Sequence, residues 1–89
     1  MSNGLWHIYI VECSDGTLYT GATTDVDRRV HEHNSVDSKA SRYVKHRRPA
    51  TLVYSESGFA SRSEAQKREY EIKQYSRSKK LKLVENGNK

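Results

Sequence analysis

The sequence predicts an α+β domain, within the broad α/β class: a small three-stranded antiparallel sheet flanked by helices, in the order β-β-α-α-β-α-α. Three observations carry that expectation. Two β-rich runs stand on either side of a Ser14-Asp15-Gly16 turn signal, which reads as a hairpin. A third β-rich run, residues 51–56, follows only after a stretch with helical signals. Polar segments opened by Thr, Asp or Ser caps account for the rest.

In chain order, residues 5–13 (LWHIYIVEC) are apolar on both faces, which suits a central strand. Residues 17–22 (TLYTGA) form its hairpin partner. The turn between them admits two registers. A two-residue Asp15-Gly16 loop pairs Ser14 with Thr17 and sends Tyr9 and Tyr19 to opposite faces. A three-residue Ser14-Asp15-Gly16 loop, with Gly16 left-handed, pairs Cys13 with Thr17 and puts both tyrosines on one face with Gly21. Asp-Gly suits either, so local propensity leaves the choice open. Thr23, Thr24 and Asp25 offer caps for a helix ending near Asn34. Residues 39–47 read as a short helix that Pro49 keeps from continuing. Residues 51–56 (TLVYSE) are the third strand. Ser61-Arg62-Ser63-Glu64 has the form of a capping box and opens a helix to about Tyr75. Ser76 caps a last helix over residues 77–84, and the polar tail from Glu85 is expected to fray. All 89 residues read as one domain, with its core over about 5–84.

Composition narrows the function. The formal net charge is +5 and the pI about 9.5, so an acidic partner is expected, nucleic acid first. The lone Cys13 has no disulfide partner and no second cysteine for a metal knuckle; its apolar surroundings read as a buried thiol. No run is long enough to span a bilayer and no signal pattern opens the chain, so no membrane partner and a cytoplasmic location are expected.

Helical angles sort the polar side chains. Val26 and Val30 define an inward stripe; Arg29 and His33 fall within about 60° of Val26, whereas Arg28, His31 and Glu32 fall on the outer side. Ala65 and Ile72 mark the inward face of the later helix, and Glu69 lies about 40° from Ala65. A carboxylate on an apolar face is costly unless it is paired or binds a cation. Glu69 is therefore expected in an internal ion pair with Arg29, at the edge where it reaches water, or at a cation.

Tyr9, Tyr19, Arg29, His33 and Glu69 together carry a resemblance. His7-Ile8-Tyr9, followed ten residues on by Tyr19-Thr20-Gly21, resembles the paired tripeptides of the GIY-YIG nuclease superfamily. Arg29 lies eight residues after Gly21, His33 four further, and Glu69 sits in SEAQKREYEIKQYSR, which is similar to the family's metal-binding helix. The resemblance runs from about Trp6 to Val84 and is closest to small stand-alone members. His7 stands in place of the first Gly, Thr20 in place of Ile, and Leu81 sits near where some relatives carry an Asn.

The resemblance implies metal-dependent phosphodiester hydrolysis of nucleic acid, DNA sooner than RNA, with low sequence specificity. Glu69 would hold one divalent cation, Mg2+ or Mn2+, which polarises the phosphate and stabilises the leaving 3′ oxygen. Arg29 would bind a non-bridging oxygen. Tyr9 would activate water as phenolate or through a hydrogen bond, Tyr19 would orient water or phosphate, and His33 is an alternative base. Lys39, Arg42, Lys45, Arg47 and Arg48 before Pro49, and Lys73 and Arg77 later, are the expected phosphate-neutralising surface. Tyr43 could stack on a base, although packing beneath its helix is the ordinary reading. The alternative is a non-catalytic nucleic-acid-binding module of the same fold.

Overall fold

The computed structural model describes residues 5–87. Strand β1 (Trp6–Glu12) and strand β2 (Leu18–Thr23) form the antiparallel hairpin. The three-residue loop prevails: Cys13 N–H donates to the Thr17 carbonyl at 2.8 Å, Gly16 N–H donates to the Cys13 carbonyl at 2.9 Å, and Gly16 has φ +83°. Asp15 Oδ1 accepts from both the Thr17 amide (3.1 Å) and the Thr17 hydroxyl (2.6 Å), which fixes the turn to the start of β2. Val11 therefore faces Tyr19, and Tyr9 faces Gly21. Alternation then places Tyr9, Val11, Tyr19 and Gly21 on one face and Ile8, Ile10, Leu18 and Ala22 on the other.

Strand β3 (Thr51–Phe59) pairs antiparallel with the other edge of β1, giving the order β2-β1-β3. The central position of β1 explains its sequence, since Ile8 through Val11 are all at most 1% exposed. β3 runs three residues beyond the expected Glu56. Its Ser57-Gly58-Phe59 continuation lacks a strand signal, but Trp6 reaches Phe59 across a register shift near Gly58, whose φ is +92°.

Helix α1 (Val26–Ser35) is capped by Asp25, whose carboxylate accepts from the Arg28 amide at 3.1 Å. Helix α2 (Arg42–Lys45) is shorter than the expected 39–47. Ser41 caps its start, and past Lys45 the chain leaves the helix in a turn where Arg47 N–H reaches the Val44 carbonyl. Asn34 then bonds the backbone of Ala50 in both directions, at 2.7 and 2.9 Å, and pins the entry to β3. Ser61 caps helix α3 (Arg62–Lys73), accepting from the Glu64 amide at 3.2 Å, and Ser76 accepts from the Lys79 amide at the start of helix α4 (Arg77–Gly87). The expected fraying from Glu85 is corrected as far as Gly87, since α4 continues to that residue and packs so closely on Tyr54 of β3 that a Cβ would overlap the ring, while Asn88 and Lys89 lie outside the described residues.

Each sheet face carries one apolar cluster. Tyr9, Val11, Cys13, Val44 and Ala50 gather with Tyr19, Val26 and Val30 beneath α1 and α2. Ile8, Ile10, Ala65 and Ile72 gather with Trp6, Leu18, Leu83 and Val84 beneath α3 and α4. The architecture is thus helices, sheet, helices. Cys13 is buried and free, and burial pushes its thiol up. Arg68 forks onto both Glu56 oxygens at 2.8 and 2.7 Å, tying α3 to β3. Among the described residues, no helix is long and apolar enough to cross a membrane.

Candidate active site

Because β2 is an edge strand, α3 is not confined to the face on which it packs. Ala65 and Ile72 bury against Ile8 and Ile10, while Arg62, Gln66 and Glu69 (spaced four and three apart) share an adjoining stripe that reaches past the edge. They meet Tyr9, Tyr19, Gly21, Thr23, Arg28, Arg29 and Glu32 around a cleft of about 430 Å³. Four of the five expected site residues, Tyr9, Tyr19, Arg29 and Glu69, therefore line one cavity.

Tyr9 is 1% exposed, and its ring lies directly across Gly21, where a Cβ would overlap the hydroxyl and sit 2.6 Å from Cζ. The tyrosine needs glycine at that position for space, not for backbone conformation. Behind it stands His33, which is fully buried; its Nε2 lies 2.8 Å from the Tyr9 hydroxyl. The Ser41 amide donates to His33 Nδ1 at 3.3 Å. An amide can only donate, so Nδ1 is an acceptor and the proton of neutral His33 sits on Nε2. His33 therefore donates to Tyr9, whose own hydroxyl proton is left to turn elsewhere. Burial, then the Arg29 charge, push the His33 imidazole down to about 4, so it is neutral near pH 7. Burial likewise pushes the Tyr9 hydroxyl well above its ordinary value; Arg29 lowers it, but by less than burial raises it. Tyr9 is a neutral phenol in the free protein. The same helix angle that turns His33 inward takes it behind the cleft wall rather than into the cavity.

Arg29 is a quarter exposed, and its Nη1 donates to Glu32 Oε1 at 3.1 Å and to the Lys39 carbonyl at 2.6 Å. Glu32 also faces Arg28 at 3.6 Å and Lys39 Nζ at 4.0 Å. The outward placement of Arg28 and Glu32 on the helical wheel is corrected: both line the cleft. The cavity opens along the flank of α1, one i,i+3 step from Arg29, and a wheel centred on Val26 misses it. The i,i+4 spacing of Arg28 and Glu32 was the available signal, as the α3 stripe was for Arg62 and Gln66.

Glu69 does not pair with Arg29. Lys73 Nζ meets its Oε2 at 2.9 Å, one turn on, and also lies 5.8 Å from the Tyr19 ring centroid. Among the described residues no group of three or more His, Cys, Asp or Glu converges as a metal cage. Glu32 is engaged by Arg28 and Arg29, which leaves Glu69 as the carboxylate of this polar cavity that would hold a cation; one hard oxygen ligand fits a small divalent ion that keeps most of its water, Mg2+ or Mn2+, and does not fit a nitrogen- or sulfur-ligated Zn2+.

The expected phosphate-binding residues divide. Lys39 stands beside the cleft through Glu32. Arg42 and Lys45 line a separate depression with Asp37 and His46. Arg47 bonds Asp15 at 3.2 Å and lies over the Tyr43 ring at 3.9 Å, while Tyr19 stacks on Tyr43 at 5.9 Å. Tyr43 is thus held between protein groups, the packing alternative. Arg48 donates to the His33 carbonyl at 2.6 Å and to Asp37 at 2.7 Å, so its guanidinium holds the end of α1 in place. Lys73 borders the cleft, and Arg77 lines a groove beyond it with Tyr43 and Lys80.

Comparison with known families decides the lineage: residues 5–82 match the GIY-YIG catalytic domain. The chain belongs to the GIY-YIG family. It is similar to UPF0213 protein DP2720 of Desulfotalea psychrophila, at 55% identity over 94% of this chain and 74% of that one. It is similar also to UPF0213 protein VNG_2274C of Halobacterium salinarum, at 58% identity over 83% of this chain and 92% of that one. The solution NMR structure of UPF0213 protein BH0048 from Bacillus halodurans matches with a TM-score of 0.59 and 45% identity, over 94% of this chain and 87% of that one. Within this GIY-YIG domain, Tyr9 and Gly21 of the two tripeptides are the residues that face one another across the hairpin.

Proposed function

We propose that this GIY-YIG domain hydrolyses phosphodiester bonds of nucleic acid in the Tyr9–Glu69 cleft, with one divalent cation, Mg2+ or Mn2+. The observation that carries the reading is the convergence of two tyrosines, three arginines and the carboxylates of Glu32 and Glu69 on one polar cavity, with Glu32 engaged by Arg28 and Arg29. Glu69 would hold the ion, which supplies charge stabilisation to the phosphate and the leaving 3′ oxygen. Arg29, set in place by Glu32 and the Lys39 carbonyl, presents its remaining guanidinium donors to a non-bridging oxygen, and Arg28 supplies a second positive charge at the same wall. Tyr9 orients the attacking water through its oxygen, fixed by the His33 donor behind it; its burial favours this hydrogen-bonding role over a preformed phenolate. Tyr19 orients water or phosphate from the opposite strand. His33 acts on Tyr9 and does not reach the substrate. Lys39, Arg42, Lys45, Lys73 and Arg77 form the substrate surface, and Arg47 and Arg48 shape it from within. DNA is the substrate the family resemblance favours.

The test is cleavage of labelled single-stranded, duplex and branched DNA and RNA by the wild type and by Glu69→Ala, with Mg2+, Mn2+ or chelator. Glu69→Ala is expected to lose cleavage and to keep its fold. Full activity in that variant removes the assignment; salt-sensitive binding by both proteins with no cleavage by either makes the domain a nucleic-acid-binding module.

A further inference from the structure

The cleft does not end at Tyr19. Tyr19 stacks on Tyr43, and Tyr43 forms a wall of a second depression of about 220 Å³, lined by Thr17, Leu18, Arg77 and Lys80. The aromatic pair is thus a ridge between two hollows, with the catalytic cleft on one side and this groove on the other. From Gly21 in the cleft to Leu18 in the groove is three strand residues, or about 10 Å along β2. A short stretch of nucleic-acid backbone covers that distance.

The groove has the chemistry of an anion site. Two cationic side chains from the first turn of α4 face into it, and Lys80 is half-buried there. No Asp or Glu among the described residues lines it. The nearest carboxylate in sequence, Asp15, is engaged by Arg47 at 3.2 Å and by Thr17. The Thr17 hydroxyl donates to Asp15, so Arg77 and Lys80 are left to carry the attraction for an anion. The charge of the groove, two cations with no lining carboxylate, suits a phosphate. Tyr43, with Arg47 over its ring and Tyr19 stacked on it, offers no stacking platform beside that phosphate.

We propose that Arg77 and Lys80 form a second phosphate subsite, which binds a phosphodiester of the same strand as the scissile one, across the Tyr19–Tyr43 ridge. The subsite rests on the nuclease reading of the cleft, but binding alone tests it. The cations act by neutralising one phosphate at a fixed distance from the cleft, so they contribute only to strands long enough to reach it.

Binding is measured by fluorescence anisotropy in the Glu69→Gln background, across a salt series, with single-stranded DNA oligonucleotides from dinucleotide to dodecamer. Arg77→Ala/Lys80→Ala is compared with Lys82→Ala, which removes an exposed charge of the same helix outside the groove. For the longer strands, the slope of log affinity against log salt should fall by roughly 0.7 in the double variant, the share of the one phosphate no longer neutralised, and the dinucleotide should bind both proteins alike. Lys82→Ala should leave the slope within a few tenths of the parent. An unchanged slope in the double variant, or a loss equal at every strand length, overturns the subsite. Cleavage of the longer strands by the otherwise wild-type protein is followed in parallel. There the double variant should raise KM with kcat unchanged, and a fall in kcat with KM unchanged also overturns the proposal. A changed binding slope without any cleavage by the wild type leaves the subsite standing and removes the nuclease reading. Cleavage with an unchanged slope does the reverse.

Discussion

Replacing Gly21 by Ala adds one methyl group and should be among the most damaging single changes to this domain. The added Cβ would overlap the Tyr9 hydroxyl and lie 2.6 Å from Cζ and 2.9 Å from Cε1. The ring is held in place: it is 1% exposed and its hydroxyl is bonded to the fully buried His33 at 2.8 Å. Overpacking of a filled core costs about 1–3 kcal/mol. Displacing the ring also breaks the Tyr9–His33 hydrogen bond, worth about 0.5–1.5 kcal/mol net. Together these give about 2–4 kcal/mol, which at ~4–8 °C per kcal/mol for a domain of this size lowers Tm by roughly 10–30 °C. Urea and thermal unfolding measure it directly. Gly21→Ala/Tyr9→Phe, which removes the overlapping oxygen but keeps the ring, should recover only part of the loss, because Cζ and Cε1 still crowd the methyl. A Gly21→Ala protein within 0.5 kcal/mol of wild type would refute the reasoning, since Tyr9 would then have room that the packing denies it.

Two further outcomes are expected. Unfolded histidine takes its proton near pH 6.5, but folded His33 only near 4, so the unfolded state binds more protons in between and stability should fall as pH drops from about 6.5 to 4, by up to about 3 kcal/mol. His33→Gln should flatten that window in pH-dependent urea titrations; Asp15, Asp37 and Glu56, whose carboxyls are held low by Thr17 or arginine partners, release their own stability further towards acid. Glu32→Ala should lower kcat/KM of cleavage about tenfold by loosening Arg29 and Arg28, while Tm changes little, because Arg28 is half-exposed and Arg29 keeps its bond to the Lys39 carbonyl; a Tm loss above 10 °C would mark Glu32 as a fold residue instead.

The sequence alone carried the element order, the central strand, the caps at Ser61 and Ser76, three candidates (Thr23, Thr24 and Asp25) for the first helix cap, the buried thiol and the family tripeptides, because each of these is written in neighbouring residues or in a short period. Inward and outward faces were equally legible where one stripe met one sheet face, as at Val26 and Val30 or Ala65 and Ile72. Several features were not legible. Asp15-Gly16 suits two hairpin registers, and the pairing of Cys13 with Thr17 selected the one that unites Tyr9, Tyr19 and Gly21. The length of β3 depended on a bulge near Gly58 and a distant partner, Trp6. The end of α4 depended on Tyr54. Among the basic residues, composition supplied the charge but not its engagement: Arg47 and Arg48 went to Asp15, Asp37 and the His33 carbonyl, and Lys73 rather than Arg29 took Glu69. Arg28 and Glu32 entered the cleft because α1 meets the edge of α3's stripe along its flank. Local sequence determines what each segment can form, since propensity and periodicity act over a few residues; which side chains meet across segments is set by distances of closest packing, and those exist only once β2 lies at the edge and α3 reaches around it.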